Sequence, residues 1–191
     1  MTQAPTLRVL GISGSLRRGS FNTALLRAAA EIAESQELPL RIEIADLRPI
    51  PLYDEDLRAA GVPEPVEKLR AAVAAADAVL FATPEYNYSV PGVLKNAIDW
   101  VSRPPSQPFA GKPFAVMGAS GGPSGTMRMQ YHLRQIAVFL DMHALNKPEV
   151  FVRNAKDVFD ADGRLTDDAT RKVVAEQLAA LAAWTRRLAK A

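Results

Sequence analysis

The chain has 191 residues, 48% hydrophobic and 23% charged, with 23 Lys and Arg against 21 Asp and Glu for a net charge of +2. This is ordinary globular usage for a single domain spanning residues 1–191, and it excludes disordered and collagen-like classes. There is no cysteine, so disulfides, iron–sulfur clusters and thiolate zinc sites are ruled out, and the two histidines, His132 and His143, form no metal-ligand pair.

Leu7 to Ile12 is a short apolar strand running into Ser13-Gly14-Ser15. Phe21 to Ser35 follows, with Leu25, Leu26, Ala29, Ile32 and Ala33 at helical spacing. Leu40 to Ala45 alternates with period two, which predicts a strand with one polar face at a sheet edge. Asp46 to Gly61 has prolines and charges but no periodicity, and is expected as a long loop, functional or mobile. Pro63 begins a helix to Ala76, with Glu64 and Glu67 in its first turn. Ala78 to Thr83 is a continuous apolar run, as a strand covered on both faces requires, and Pro84 stops it. A helix from Pro91 to Trp100, a strand from Pro113 to Ala119, an amphipathic helix from Met127 to Met142 and a strand from Glu149 to Val152 come next. Thr166, followed by Asp167 and Asp168, caps a last helix reaching Ala189.

Strict alternation of strands and helices implies a parallel sheet covered on both faces. Five strands predict an α/β, flavodoxin-like three-layer sandwich with a five-stranded parallel sheet in the order 2-1-3-4-5. Ligands of such sheets bind beyond the carboxyl ends of the strands, so the loops after Ile12, Thr83 and Ala119 are the place to look. The basic surplus is small and no Lys/Arg block exceeds two residues, so nucleic acid is not an expected partner. No stretch is long and apolar enough for a membrane span, and the start of the chain lacks a signal-peptide pattern; a soluble, cytoplasmic protein is expected.

The first loop, Ser13 to Thr23, joins a strand to a helix. Its main-chain N–H groups, the helix N-terminus, the hydroxyls of Ser15 and Ser20 and the Arg17 guanidinium together suit a phosphate, with Asn22 and Thr23 placed to bond it or the helix end. The alternative is that Ser20 or Asn22 simply caps the helix. Gly14 and Gly19 have the spacing of a Walker A loop, but Ser20 stands where its lysine belongs, and the Rossmann glycine triplet is missing. A single terminal phosphate, as on a mononucleotide such as FMN, fits better than a pyrophosphate. The second loop, Thr83 to Gly92, reads as extended and proline-braced. Its main chain can meet the edge of a flat heterocycle, with Tyr86 or Tyr88 packing against it; a plain strand-to-helix connection is the alternative.

The seventeen-residue run from Pro84 to Trp100, PEYNYSVPGVLKNAIDW, resembles the signature of the NADPH-dependent FMN reductase family, which includes bacterial quinone, azo-dye and chromate reductases. The segments Gly14 to Asn22, Tyr131 to Gln135 and Asn146 to Glu149 are similar to that family as well, and the resemblance covers roughly Leu7 to Val152. It departs from the family pattern at Met129, where relatives carry a small residue. The resemblance implies bound FMN, NADPH or NADH as co-substrate, and a ping-pong hydride cycle that reduces quinones, azo compounds or related small-molecule acceptors. It also implies that Ser15, Arg17, Ser20 and Asn22 hold the FMN phosphate, that Pro84, Glu85, Tyr86 and Asn87 line the ring and ribityl chain, and that Ser120 and Gly121 sit at the ring's other edge. No side chain is assigned as general acid or base, and no metal is expected. Relatives are homodimers or homotetramers, and Tyr53, Asp54 and Asp56 are candidates for covering a partner's site.

Two rival readings stand beside this one. Gly118-Ala119-Ser120-Gly121-Gly122 satisfies the G-x-S-x-G nucleophile elbow of serine hydrolases, although both later histidines fall on or beside the next helix. An electron-carrier flavodoxin is the other; such proteins are strongly acidic, and this chain carries +2.

Overall fold

In a computed structural model, which describes residues 5–190, helices connect successive strands from the first to the fifth, and helices follow the last. They are β1 (Leu7–Ser13), α1 (Phe21–Ser35), β2 (Leu40–Ala45), α2 (Glu55–Ala60), α3 (Glu64–Ala75), β3 (Ala78–Ala82), α4 (Gly92–Val101), β4 (Pro113–Ala119), α5 (Met127–Phe139), β5 (His143–Ala144), β6 (Val150–Val152), α6 (Ala155–Val158) and α7 (Asp168–Leu188). The sheet order is β2-β1-β3-β4-β5 with every pairing parallel, the flavodoxin-like order expected from the pattern.

Successive residues on a strand face opposite ways, so the apolar strands feed two cores. On one face Val9, Leu80, Met117 and Val150 pack under α1 and α7. On the other, Leu10, Ile12, Val79, Phe81, Phe114 and Val116 pack under α3, α4 and α5. β3 and β4 are buried along their whole length, whereas Arg41 and Glu43 of β2 are exposed, as suits an edge strand. The α5 helix ends at Phe139, so Met142 of the expected helix lies in the connection beyond it. Met129 points inward and is fully buried in the second core.

The fifth strand is in two pieces. β5 pairs with β4 at Pro113 and Phe114, and β6 pairs with the same strand from Met117 onward. Between them lies Pro148, which has no N–H to offer the ladder. Two buried glutamines take up carbonyls around this gap: Gln177 of α7 donates to Pro148 O at 3.0 Å, and Gln130 of α5 to Val150 O at 2.9 Å.

The segment 46–61 is not the plain loop expected. Asp54 caps the short helix α2 by accepting from Asp56 N at 2.8 Å, and the segment is fastened to α4. Asn96 accepts from Tyr53 N and donates to Pro51 O, both at 2.7 Å, and Trp100 Nε1 donates to the same carbonyl at 2.9 Å. Tyr53 meets Trp100 edge-on, with ring centroids 4.9 Å apart. Glu55 accepts from Arg58 and from the Tyr53 hydroxyl, and the two bonds hold its carboxyl down to about 2.

The last helix is capped one residue later than expected, by Asp167, which accepts from Thr170 N at 2.7 Å. Hydrogen bonding from Thr170, first from its hydroxyl and then from its N–H, holds the Asp167 carboxyl below its usual range. A lowered carboxylate pKa adds stability above the ordinary aspartate range and loses it as the pH falls through the lowered value. We therefore expect Asp167→Asn to unfold at a lower temperature than the parent at neutral pH. The gap in melting temperature should close as the pH drops through the aspartate range, as followed by circular dichroism.

Candidate functional site

Three loops leave the carboxyl ends of β1, β3 and β4, and one buried residue ties those ends together. Thr83, fully buried, continues β3 by donating from its N–H to Met117 O at 3.2 Å. On one side Gly14 donates to Ala82 O, and a Cβ at Gly14 would stand 1.9 Å from Thr83 Oγ1. On the other side a Cβ at Gly118 would stand 2.6 Å from Thr83 O and 2.0 Å from Thr126 Oγ1. Both glycines are there because no larger residue fits against Thr83.

The first loop folds around its own hydroxyls. Ser13 Oγ lies 2.8 Å from Thr23 Oγ1 and accepts from Ser15 N, while Ser20 caps α1 by accepting from Thr23 N at 3.3 Å. Arg17 donates to Gly19 O, and its guanidinium lies 5.4 Å from the Phe21 ring centre. Among the described residues, no acceptor meets the main-chain N–H groups of Leu16, Arg18, Gly19, Phe21 and Asn22. A helix N-terminus with several free donors, two serine hydroxyls and an arginine is a ready anion site. The Asn22 side chain is engaged elsewhere. It is buried and clasps the end of β4, donating to Ala119 O at 2.9 Å and accepting from Ala119 N at 2.8 Å.

The second loop is a tight turn instead of the extended segment expected. Tyr86 and Ser89 exchange both main-chain bonds, at 3.1 and 2.9 Å. Asn87 and Tyr88 between them have φ of 49° and 66°, positive as a type I′ turn requires. For a tyrosine this conformation costs on the order of 1–3 kcal/mol and needs outside support. Arg128 supplies it, with its guanidinium 3.7 Å from the Tyr88 ring centre. The N–H groups of Glu85, Asn87 and Tyr88 are without a protein acceptor among the described residues, and Pro84 sits half-buried at the root of the turn.

The Glu85 carboxylate turns toward α5, and its side chain is only 8% exposed. It accepts from Arg128 Nε at 2.5 Å and from the N–H groups of Arg128 and Met129 at 3.1 and 3.2 Å. Thr126, the N-cap residue of α5, makes no side-chain cap bond, so Glu85 caps this helix from another loop. A second tie joins the same partners, since His132 Nδ1 lies 3.0 Å from Ser89 Oγ.

The third loop backs onto β6. Ser120 N donates to Val152 O at 3.0 Å and Ala155 N donates to Ser120 O at 2.9 Å, leaving the Gly121 N–H free with open space around the residue. Ser120 Oγ bonds only within its loop, to Gly122. His132 is engaged with Ser89 and His143 lies on β5, so among the described residues Ser120 has no histidine partner and the hydrolase reading is set aside.

Beside the site, Tyr131 donates to Glu149 Oε1 at 2.9 Å and Arg134 to Leu145 O at 3.0 Å, fastening α5 to the broken fifth strand. The Lys147 ammonium, with help from Tyr131, holds the Glu149 carboxyl below its usual range.

The ten residues expected at the site thus gather around one end of the sheet. Ser15, Arg17 and Ser20 surround free N–H donors, Pro84 to Asn87 form a braced turn, and Ser120 and Gly121 close the far side. Two expected residues act sideways: Asn22 joins the first loop to the third, and Glu85 joins the second to α5. Thr83 and Arg128 were not anticipated. Thr83 reads as the last residue of a strand, and nothing local connects Arg128 with a carboxylate 43 positions away.

The sequence profile described as NADPH-dependent FMN reductase matches residues 7–157. An NAD(P)H-dependent FMN reductase of Pseudomonas aeruginosa is 59% identical over 182 residues, covering 95% of this chain and 97% of the relative. A quinone reductase of Escherichia coli is 46% identical over 185 residues, with the same coverage of 95% and 97%. Among solved structures, FerB, a flavoenzyme NAD(P)H:(acceptor) oxidoreductase from Paracoccus denitrificans, superposes with a TM-score of 0.85 at 35% identity, covering 95% of this chain and 98% of that one.

The packing at Thr83 gives a direct test. Gly14→Ala should cost about 1–3 kcal/mol in urea denaturation, because the buried, branched Thr83 cannot move aside. Gly121→Ala, with nothing within 4 Å, should cost little.

Proposed function

We infer, for a chain that belongs to the NADPH-dependent FMN reductase family, how its three loops divide the work of an NAD(P)H-dependent flavoenzyme. Ser15, Arg17 and Ser20 hold the phosphate of FMN, with Asn22 fixing the helix end against β4. Pro84 to Asn87 line the ring and ribityl chain chiefly through their main chain, and Ser120 and Gly121 take the opposite edge. The observation that carries this reading is the set of five main-chain N–H groups left free by the first loop at the start of α1. The donor chemistry fits a dianionic phosphomonoester: several N–H groups, the hydroxyls of Ser15 and Ser20 and the Arg17 guanidinium, with no Asp or Glu between Ser13 and Thr23.

FMN when bound supplies the hydride chemistry, and the protein supplies binding, orientation and electrostatics. Glu85, Asn87 and Tyr88 offer N–H donors to the polar edge of the heterocycle, and Gly121 offers one from the other side. Donors aimed at a ring that gains negative charge on reduction favour the reduced form. Tyr86 and Tyr88 are exposed, and beside bound FMN they would border the place where NAD(P)H and a flat acceptor are received in turn, a ping-pong sequence. Quinones, with azo compounds behind them, are the acceptors this reading favours, and similarity to the E. coli quinone reductase supports it.

We further read residues 1–191 as one domain, the active species as a homodimer or homotetramer, and the site of action as the cytoplasm. Exposed Leu52, Val138 and Phe139 support the first-named property of the assembly, that faces remain to be covered by a second copy. No helix among the described residues is long and apolar enough to cross a membrane.

The purified protein should be yellow and should consume NADPH with benzoquinone without any added reductase; a colourless protein that binds no added FMN would overturn the reading. Double-reciprocal rates with both substrates varied should give parallel lines, and intersecting lines would exclude alternating occupancy. Ser20→Ala should weaken FMN binding about tenfold, the worth of one charge-assisted hydrogen bond, with turnover retained at saturating FMN.

A further inference from the structure

We propose that Glu85 is a positioning residue that sets the two walls of the flavin site through Arg128 and the N-terminus of α5, with no contact of its carboxylate to the cofactor. The proposal rests on the reading of the three loops given above. Its basis is where the carboxylate points. Both Glu85 oxygens are engaged on the α5 side: one with the Arg128 guanidinium at 2.5 Å, the other with the N–H groups of Arg128 and Met129. With its side chain 8% exposed, this carboxylate has neither a free oxygen nor open solvent left to serve a ligand.

The bond joins two loops, beside the lighter tie of His132 to Ser89. Glu85 stands on the loop after β3, and Arg128 and Met129 begin the helix into which the loop after β4 runs. The same guanidinium donates to Ser124 Oγ at 3.1 Å, inside that third loop, and lies over the Tyr88 ring of the second. One ion pair therefore fixes three things: the start of α5, the path of the third loop through Ser124, and the left-handed turn at Asn87 and Tyr88. Without Glu85, the α5 N-terminus loses its side-chain cap and Arg128 loses the carboxylate that holds it against Tyr88. Both walls of the ring site then lose their spacing.

The test is FMN affinity, measured by quenching of flavin fluorescence on titrating FMN-free protein, at a temperature well below its unfolding midpoint. Glu85→Gln keeps an acceptor for the N–H groups and removes the ion pair; it should raise the FMN dissociation constant at least tenfold. Arg128→Gln should do the same, and the double variant should be no worse than either single one, because the two act as a unit. The visible absorption of FMN bound to the variants should also shift, which a residue that only stabilises the fold would leave unchanged. If Glu85→Gln does not fold, Arg128→Lys keeps the positive charge, loses the forked pairing, and should still weaken FMN at least threefold. Dissociation constants within twofold of the parent, or losses that multiply in the double variant, would overturn the proposal alone. A parent protein that binds no FMN would overturn the reading beneath it as well.

Discussion

The site depends on a contact that leaves no room for a Cβ. Thr83 stands at the carboxyl end of the central strand, with Gly14 just after β1 and Gly118 of β4 pressed against it from either side. Three strand ends packed this closely start their loops from nearly one point. A parallel sheet in this order always directs its β1, β3 and β4 connections to the same edge; the two glycines bring those connections within reach of one small ligand.

From that point outward the loops are held by polar bonds instead of apolar packing. Asn22 clasps Ala119 with both ends of its amide, and Glu85 clasps the start of α5. Each buried bond of this kind is worth about 1 kcal/mol, and leaving one partner unmet costs more. Such bonds also fix direction, which apolar contact does not. They allow the strained turn at Asn87 and Tyr88 to persist, while five N–H groups of the first loop have no protein acceptor among the described residues. Rigid surroundings around free donors are what a tightly held cofactor requires.

Where a residue's role follows from its immediate neighbours, the sequence was readable. The α1 helix runs from Phe21 to Ser35 and β4 from Pro113 to Ala119, the limits expected from apolar spacing and proline punctuation. The first loop and the opening of the signature, Pro84 to Pro91, likewise lie at the sheet edge the topology singled out. What stayed hidden depends on distant partners. The segment around α2 has no periodicity of its own and takes its order from Asn96 and Trp100. The gap in the fifth strand is sustained by Gln130 and Gln177 from helices on opposite faces. Glu85 is recognisable as part of a motif, but its direction is set by Arg128, and Asn22 looks like a cap until Ala119 is brought beside it across 97 positions. Local pattern gave the candidates; tertiary contact assigned their tasks.

The absence of cysteine and of any histidine cluster also takes on meaning here. A redox enzyme without thiols or metal ligands has to take its chemistry from a bound group, and this fold is organised around holding one. The central claim is that the first loop grips that group by its phosphate. Comparing FMN with riboflavin, which lacks only the phosphate, tests it most directly by fluorescence titration of the FMN-free protein. The account predicts that FMN binds at least a hundredfold more tightly than riboflavin. Equal affinities would contradict it.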